Sequence, residues 1–125
     1  MIHLDTHIAA WLYAGERRRF SASVTRRIER EVVCISPAVE LELQLLFEVG
    51  RTRQAAREVV SDLAARIGLR ISEASFRAIV EAAAGLTWTR DPFDRMIVGN
   101  AHADRATLLT ADETILENFR GAAWG

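Results

Sequence analysis

The sequence predicts a single α/β domain built on a parallel sheet. Three observations carry that reading. Short apolar runs alternate with longer amphipathic ones, as strands alternate with helices in βαβ units. Turn and cap residues punctuate the boundaries. The 125 residues, half of them hydrophobic, are enough for one domain with its own core and too few for two.

The elements follow in order. Ile2–Leu4 is the first strand, with a helix near 6–14 behind it. A second helix near 20–31 leads into the apolar run Val32–Ile35, the second strand. Ser36-Pro37 then opens a helix over 37–49, the serine capping and the proline taking the first helical position. Helices near 53–66 and 73–84 flank a third strand at Leu69–Ile71. Thr52 and Ser72 can cap them, and Gly68 and Gly85 mark their ends. Asp91-Pro92 repeats the capped-proline opening for a helix over 92–103, and Thr107–Leu109 is a fourth strand. No repeat, linker or low-complexity tract interrupts the chain, so residues 1–125 read as one unit.

Charge and cysteine content narrow the class. A net charge of -1 does not by itself indicate a nucleic-acid binder. All the basic residues are arginine, suited to bidentate contact with phosphate or carboxylate. Arg17, Arg18, Arg19, Arg26, Arg27 and Arg30 form one group, and Arg51, Arg53 and Arg57 another. They are either solvated helix faces or contacts to phosphate or a partner. The one cysteine, Cys34, cannot form an internal disulfide and sits in an apolar run, as a buried inert thiol does. The N-terminus lacks a signal-peptide pattern, and no stretch is long enough to span a membrane. A soluble, cytoplasmic protein is expected.

In open parallel sheets, sites form beyond the carboxyl ends of the strands. Two strands end there in aspartate, at Asp5 and Asp112. Each taken alone reads as a helix cap. Glu42 changes the balance. At about 100° per residue, it falls on the apolar stripe of its helix with Ala38, Leu45, Leu46 and Val49, while Glu40 projects away. A carboxylate on a buried face is costly unless it is paired, and there is no lysine to pair it. Asp91 and Asp94 add two more. Asp91 is the cap of its helix, with its oxygens occupied by backbone amides. Asp94, one turn in, is free to act as a ligand, so Asp91 ranks second to it.

Carboxylates from four segments would repel one another without a cation, and at least one should have a raised pKa. An all-oxygen set suits Mg2+ or Mn2+ rather than zinc. His3, His7 and His102 lack zinc spacing and read as structural or exposed. Clustered carboxylates with hard cations suit phosphodiester hydrolysis, in which the ion activates water and stabilises the leaving oxygen.

Four stretches now resemble a known family. Met1-Ile2-His3-Leu4-Asp5-Thr6-His7 is similar to the opening of VapC-type PIN-domain toxins. Ile35-Ser36-Pro37-Ala38-Val39-Glu40-Leu41-Glu42 resembles their second motif, Asp91-Pro92-Phe93-Asp94-Arg95-Met96-Ile97-Val98 the third, and Leu109-Thr110-Ala111-Asp112 the fourth. The resemblance spans nearly the whole chain in the right order. It implies a three-layer α/β/α sandwich and an Mg2+- or Mn2+-dependent endoribonuclease, held in check by a cognate antitoxin. It also implies that Asp5, Glu42, Asp94 and Asp112 are both metal ligands and catalytic residues. Leu41, where many relatives carry tryptophan, and Asn100, in the third-motif helix, depart from the pattern. A homodimer is expected through the 53–84 region, with Leu63, Ile67, Ile79 and Val80 available. The RNA target stays open.

Two other classes compete. Aspartyl-phosphate chemistry on Asp5 would want a lysine for the phosphoryl group, which the chain lacks. A catalytically inactive PIN-fold module for RNA binding or protein interaction would tend to lose acidic residues, whereas here all four are present.

Overall fold

Every run read as a strand forms one, with ends shifted by a residue at most. The computed structural model describes residues 1–125. It contains β1 (Ile2–Leu4), β2 (Val33–Ile35), β3 (Arg70–Ile71) and β4 (Thr107–Leu109). A fifth strand, β5 (Ala122–Ala123), lies on the far edge. The helices are α1 (Thr6–Ala14), α2 (Ala22–Arg30), α3 (Pro37–Glu48), α4 (Ala56–Ile67), α5 (Phe76–Ala84), α6 (Pro92–Ala103) and α7 (Glu113–Asn118), with a short 3-10 turn at Arg17–Arg19.

The sheet is wholly parallel, in the order β3-β2-β1-β4-β5. His3 lies between Cys34 and Leu108 in the register. The chain steps from β1 to β2 to β3 in one direction, returns past β1 to β4, and continues outward to β5. Because parallel crossovers are right-handed, α1–α4 cover one face and α5–α7 the other. The three-layer sandwich follows, and it places a topological switch point between β1 and β4. Strands buried on both faces must be apolar throughout. Ile2, Leu4, Ile35, Leu108 and Leu109 accordingly have no exposed surface. No helix is long and apolar enough to cross a membrane.

Several boundaries differ from the expected caps. Ser75 caps α5, and Ser72 is buried in a polar cluster instead. Thr52 does not cap α4. That helix starts at Ala55 without a cap of its own, and Gln44 of α3 accepts the Ala56 amide at 3.2 Å. Gly68 ends α4 in the left-handed conformation, φ 69°, but Gly85 closes α5 with ordinary helical angles. Gly99 has a packing role. A β-carbon there would lie 2.9 Å from the Ile79 carbonyl and 3.0 Å from the Ala83 amide. Only glycine lets α6 approach α5 this closely.

The apolar face of α3 is rotated from its expected position. Ala38, Val39 and Leu43 are buried, whereas Leu45 and Val49 are exposed. Glu42 therefore lies at the margin of the buried stripe rather than at its centre. Leu63 and Ile79 belong to the interior, so they are unavailable to a dimer surface. Exposed apolar side chains include Leu41, Leu45 and Phe47 on α3 and Phe76 and Val80 on α5.

Candidate active site

The two strands at the switch point carry the first two acidic residues. Asp5 follows β1 and caps α1. Its Oδ1 accepts the Thr6 amide at 2.8 Å, and its Oδ2 accepts the Thr110 hydroxyl at 2.7 Å. The Asp5 amide donates to the Leu109 carbonyl at 3.0 Å, which fixes the turn after β1 to the end of β4. Asp5 is 4% exposed and Thr110 is fully buried. Thr110 Oγ1 in turn accepts the Asp112 amide at 3.0 Å. Asp112 caps α7 through Ile115, at 3.1 Å. Both aspartates therefore do cap helices, and the strand ends bring them together through one threonine.

Glu42 arrives from α3. The Thr6 hydroxyl donates to its Oε1. Thr6 and Thr110 thus each hold a carboxylate, a role that sequence reading did not assign. No local signal marks them, because Thr6 holds Glu42 and Thr110 holds Asp5, acids far away in the sequence. His7, read from the sequence as structural or exposed, is a structural tie. Its Nε2 accepts the Ala111 amide at 3.0 Å, so its proton sits on Nδ1, which faces Asp5 Oδ2 at 3.6 Å. His3 is buried and His102 is exposed, away from this cleft.

The third segment is the start of α6. Asp91 Oδ1 accepts the amides of Phe93 (2.8 Å) and Asp94 (3.3 Å), as its capping position requires. Asp94 makes no side-chain hydrogen bond and is half-buried. Its carboxyl is pushed up to about 7, first by burial and then by the charges of Asp91, Asp5, Asp112 and Glu42. The Glu42 carboxyl is also raised, chiefly by burial. The Thr6 hydrogen bond opposes that shift, while Asp5 and Asp91 add to it. Asp94 therefore feels four other carboxylates, including Asp91, and the crowding falls on Asp94 and Glu42.

The donor set is all oxygen, which suits a hard divalent cation. A cation would offset the burial and the neighbouring charges that together raise the Asp94 carboxyl. No three acidic, histidine or cysteine side chains converge into a ready coordination shell; the Asp5 carboxylate is bonded to the Thr110 hydroxyl and that of Glu42 to the Thr6 hydroxyl. The residues fit the ion in charge and donor type. Beside the cleft, a groove runs from His7 past Trp11, Tyr13 and Leu46 to Arg51 and Arg53.

An acidic cleft at the switch point of a parallel α/β sandwich defines the class. The PIN domain family profile matches residues 2–120, and the chain belongs to that family. Solved structures share the fold. VapBC2 from Rickettsia felis, crystallised bound to a DNA fragment from its promoter, matches with a TM-score of 0.73 at 19% identity, covering 100% of both chains. A toxin–antitoxin complex from Klebsiella pneumoniae matches with a TM-score of 0.70 at 19% identity, covering 98% of this chain and 96% of that one. Among curated proteins no relative was found.

Proposed function

We propose that the chain is a metal-dependent endoribonuclease and the toxin of a toxin–antitoxin pair. Asp5, Glu42, Asp94 and Asp112 would be its ligands for Mg2+ or Mn2+, and Asp91 would be an outer contributor. One observation carries the reading: Asp5, Glu42, Asp94 and Asp112 come to the switch point from four segments, close enough that the other three, with Asp91, add to the effect of burial on the Asp94 carboxyl. Such an arrangement is unfavourable for folding and suited to a cation. The bound ion would supply an activated water and offset charge on the phosphodiester. The chain's own residues do the rest. Thr6 and Thr110 orient Glu42 and Asp5, His7 ties α1 to the turn carrying Asp112, and the α6 dipole favours negative charge at Asp94.

Membership of the PIN domain family supports the nuclease class, and the toxin–antitoxin neighbours support an inhibitory partner. The groove beside the cleft, with apolar walls and Arg51 and Arg53 at its end, would receive that partner. A homodimer would bury the exposed apolar side chains of α3 and α5. The exposed Arg17 and Arg18, which make no ion pair, would contact RNA phosphates. The test is cleavage of a mixed RNA substrate with Mg2+ or Mn2+, repeated with chelator and with Asp94→Asn. Cleavage should require both the metal and Asp94. RNA binding that survives chelation, without cleavage by the parent, would mean an inactive binding module instead.

A further inference from the structure

A second polar cluster lies beneath the opposite end of α6, inside the sandwich. Asp104 Oδ2 accepts the Ser72 hydroxyl at 2.6 Å, His3 Nε2–H at 2.8 Å and Asn100 Nδ2 at 3.3 Å. Asn100 Nδ2 also donates to Ser72 Oγ at 2.8 Å. Asn100 is fully buried, and His3 and Ser72 nearly so. The four residues come from three places: β1, the chain just after β3, and the C-terminal part of α6. Two buried atoms, His3 Nδ1 and Asn100 Oδ1, have no partner.

Stability alone does not account for this cluster. A buried polar atom without a partner is unfavourable, and Asn100 carries one in Oδ1 while its Nδ2 reaches across to Ser72 and Asp104. Register does account for it. The faces of α5 and α6 meet closely at Gly99 against the backbone of Ile79 and Ala83, a contact with no directional bond of its own. Hydrogen bonds are directional, and Asn100 and Asp104 direct theirs at Ser72 and His3. The same helix carries Asp94 at its other end, and β1 runs directly into Asp5.

The geometry points to a positioning role for Asn100 and Asp104: with Ser72 and His3 they lock α6 against β1 and so set the distance from Asp94 to Asp5. This rests on the reading of those two aspartates as cation ligands. The lock touches neither the cation nor RNA, and its effect reaches the cleft through the rigid helix.

The test is direct Mn2+ binding, counting free ion by electron paramagnetic resonance, on the parent and on Asn100→Leu. The Mn2+ dissociation constant of the variant should rise roughly tenfold, within the range for residues that couple distant sites. Adding Ser72→Ala should change the constant little further, because the lock is already open. Half-saturation by RNA should stay fixed while half-saturation by metal rises. An unchanged Mn2+ constant, whatever the melting temperature, makes the cluster purely structural and overturns the proposal. If Asn100→Leu does not fold, Asp104→Asn carries the same expectation and the same refutation. A parent that binds no Mn2+ overturns the metal reading itself, and the lock with it.

Discussion

Replacing Asp94 by asparagine isolates the cost of ionising this carboxyl when metal is chelated. The Asp94 carboxyl is raised from 3.8 to about 7, with burial the largest cause and Asp91, Asp5, Asp112 and Glu42 adding to it. A shift of about three units at 1.36 kcal/mol each sets an upper limit of about 4 kcal/mol. Screening at this partly exposed position brings the expected effect to about 2 kcal/mol. The sign follows from linkage. The native state favours protonated Asp94, so that contribution to stability is full below the unfolded pKa and is lost as pH rises through 7. Asparagine resembles the protonated acid and never suffers the loss. In chelator, the two proteins should therefore be equally stable near pH 4, and Asp94→Asn should be about 2 kcal/mol more stable near pH 8. The gap corresponds to about 8 °C in a domain of this size. Urea or thermal melts across that range measure it. A gap that stays flat with pH, or a variant less stable at pH 8, refutes the reading that burial and the neighbouring carboxylates together oppose the ionisation of Asp94.

Three further outcomes follow from the same geometry. Asp91→Asn should keep the α6 cap, with a stability loss well under about 1 kcal/mol, and should retain cleavage that Asp94→Asn abolishes; the reverse pattern in a cleavage assay would exchange their roles. Thr110→Val strands Asp5 Oδ2 without its donor and should cost about 2 kcal/mol in chelator melts, while Thr110→Ser should be close to neutral. Replacing Arg17 and Arg18 by alanine should lower the salt slope of RNA binding by about two without moving the cleavage site, and an unchanged slope would return both to solvated surface.

Much of this was legible in the sequence, because apolar runs and capped prolines are local signals. Ile2–Leu4, Pro37 and Pro92 mark their elements almost to the residue. Asp5 and Asp112 were legible as a pair because both follow predicted strands. What escaped had no local signal. β5 is two alanines, with neither branching nor aromatic character, and its pairing with β4 comes from the sheet. The six residues of α7 are too few to show periodicity. Glu42 was placed at the centre of an apolar stripe because a helical wheel cannot know that Leu45 and Val49 face outward. Thr6, His7 and Thr110 act through partners brought together only by the fold: Thr6 reaches Glu42 across 36 residues and Thr110 reaches Asp5 across 105. Asn100, a departure without explanation in the sequence, acquires partners only when β1 and the chain after β3 meet α6.

The central claim is that these carboxylates hold a divalent cation, and metal-dependent melting tests it most directly. Parent and Asp5→Asn are melted with chelator and with Mn2+ or Mg2+ at a hundredfold excess over the dissociation constant. The parent should gain roughly 2.7 kcal/mol by mass action, about 10 °C for this chain, and Asp5→Asn should gain much less. Equal gains in the two proteins would mean that the cation binds elsewhere, and no gain in the parent would contradict the site altogether.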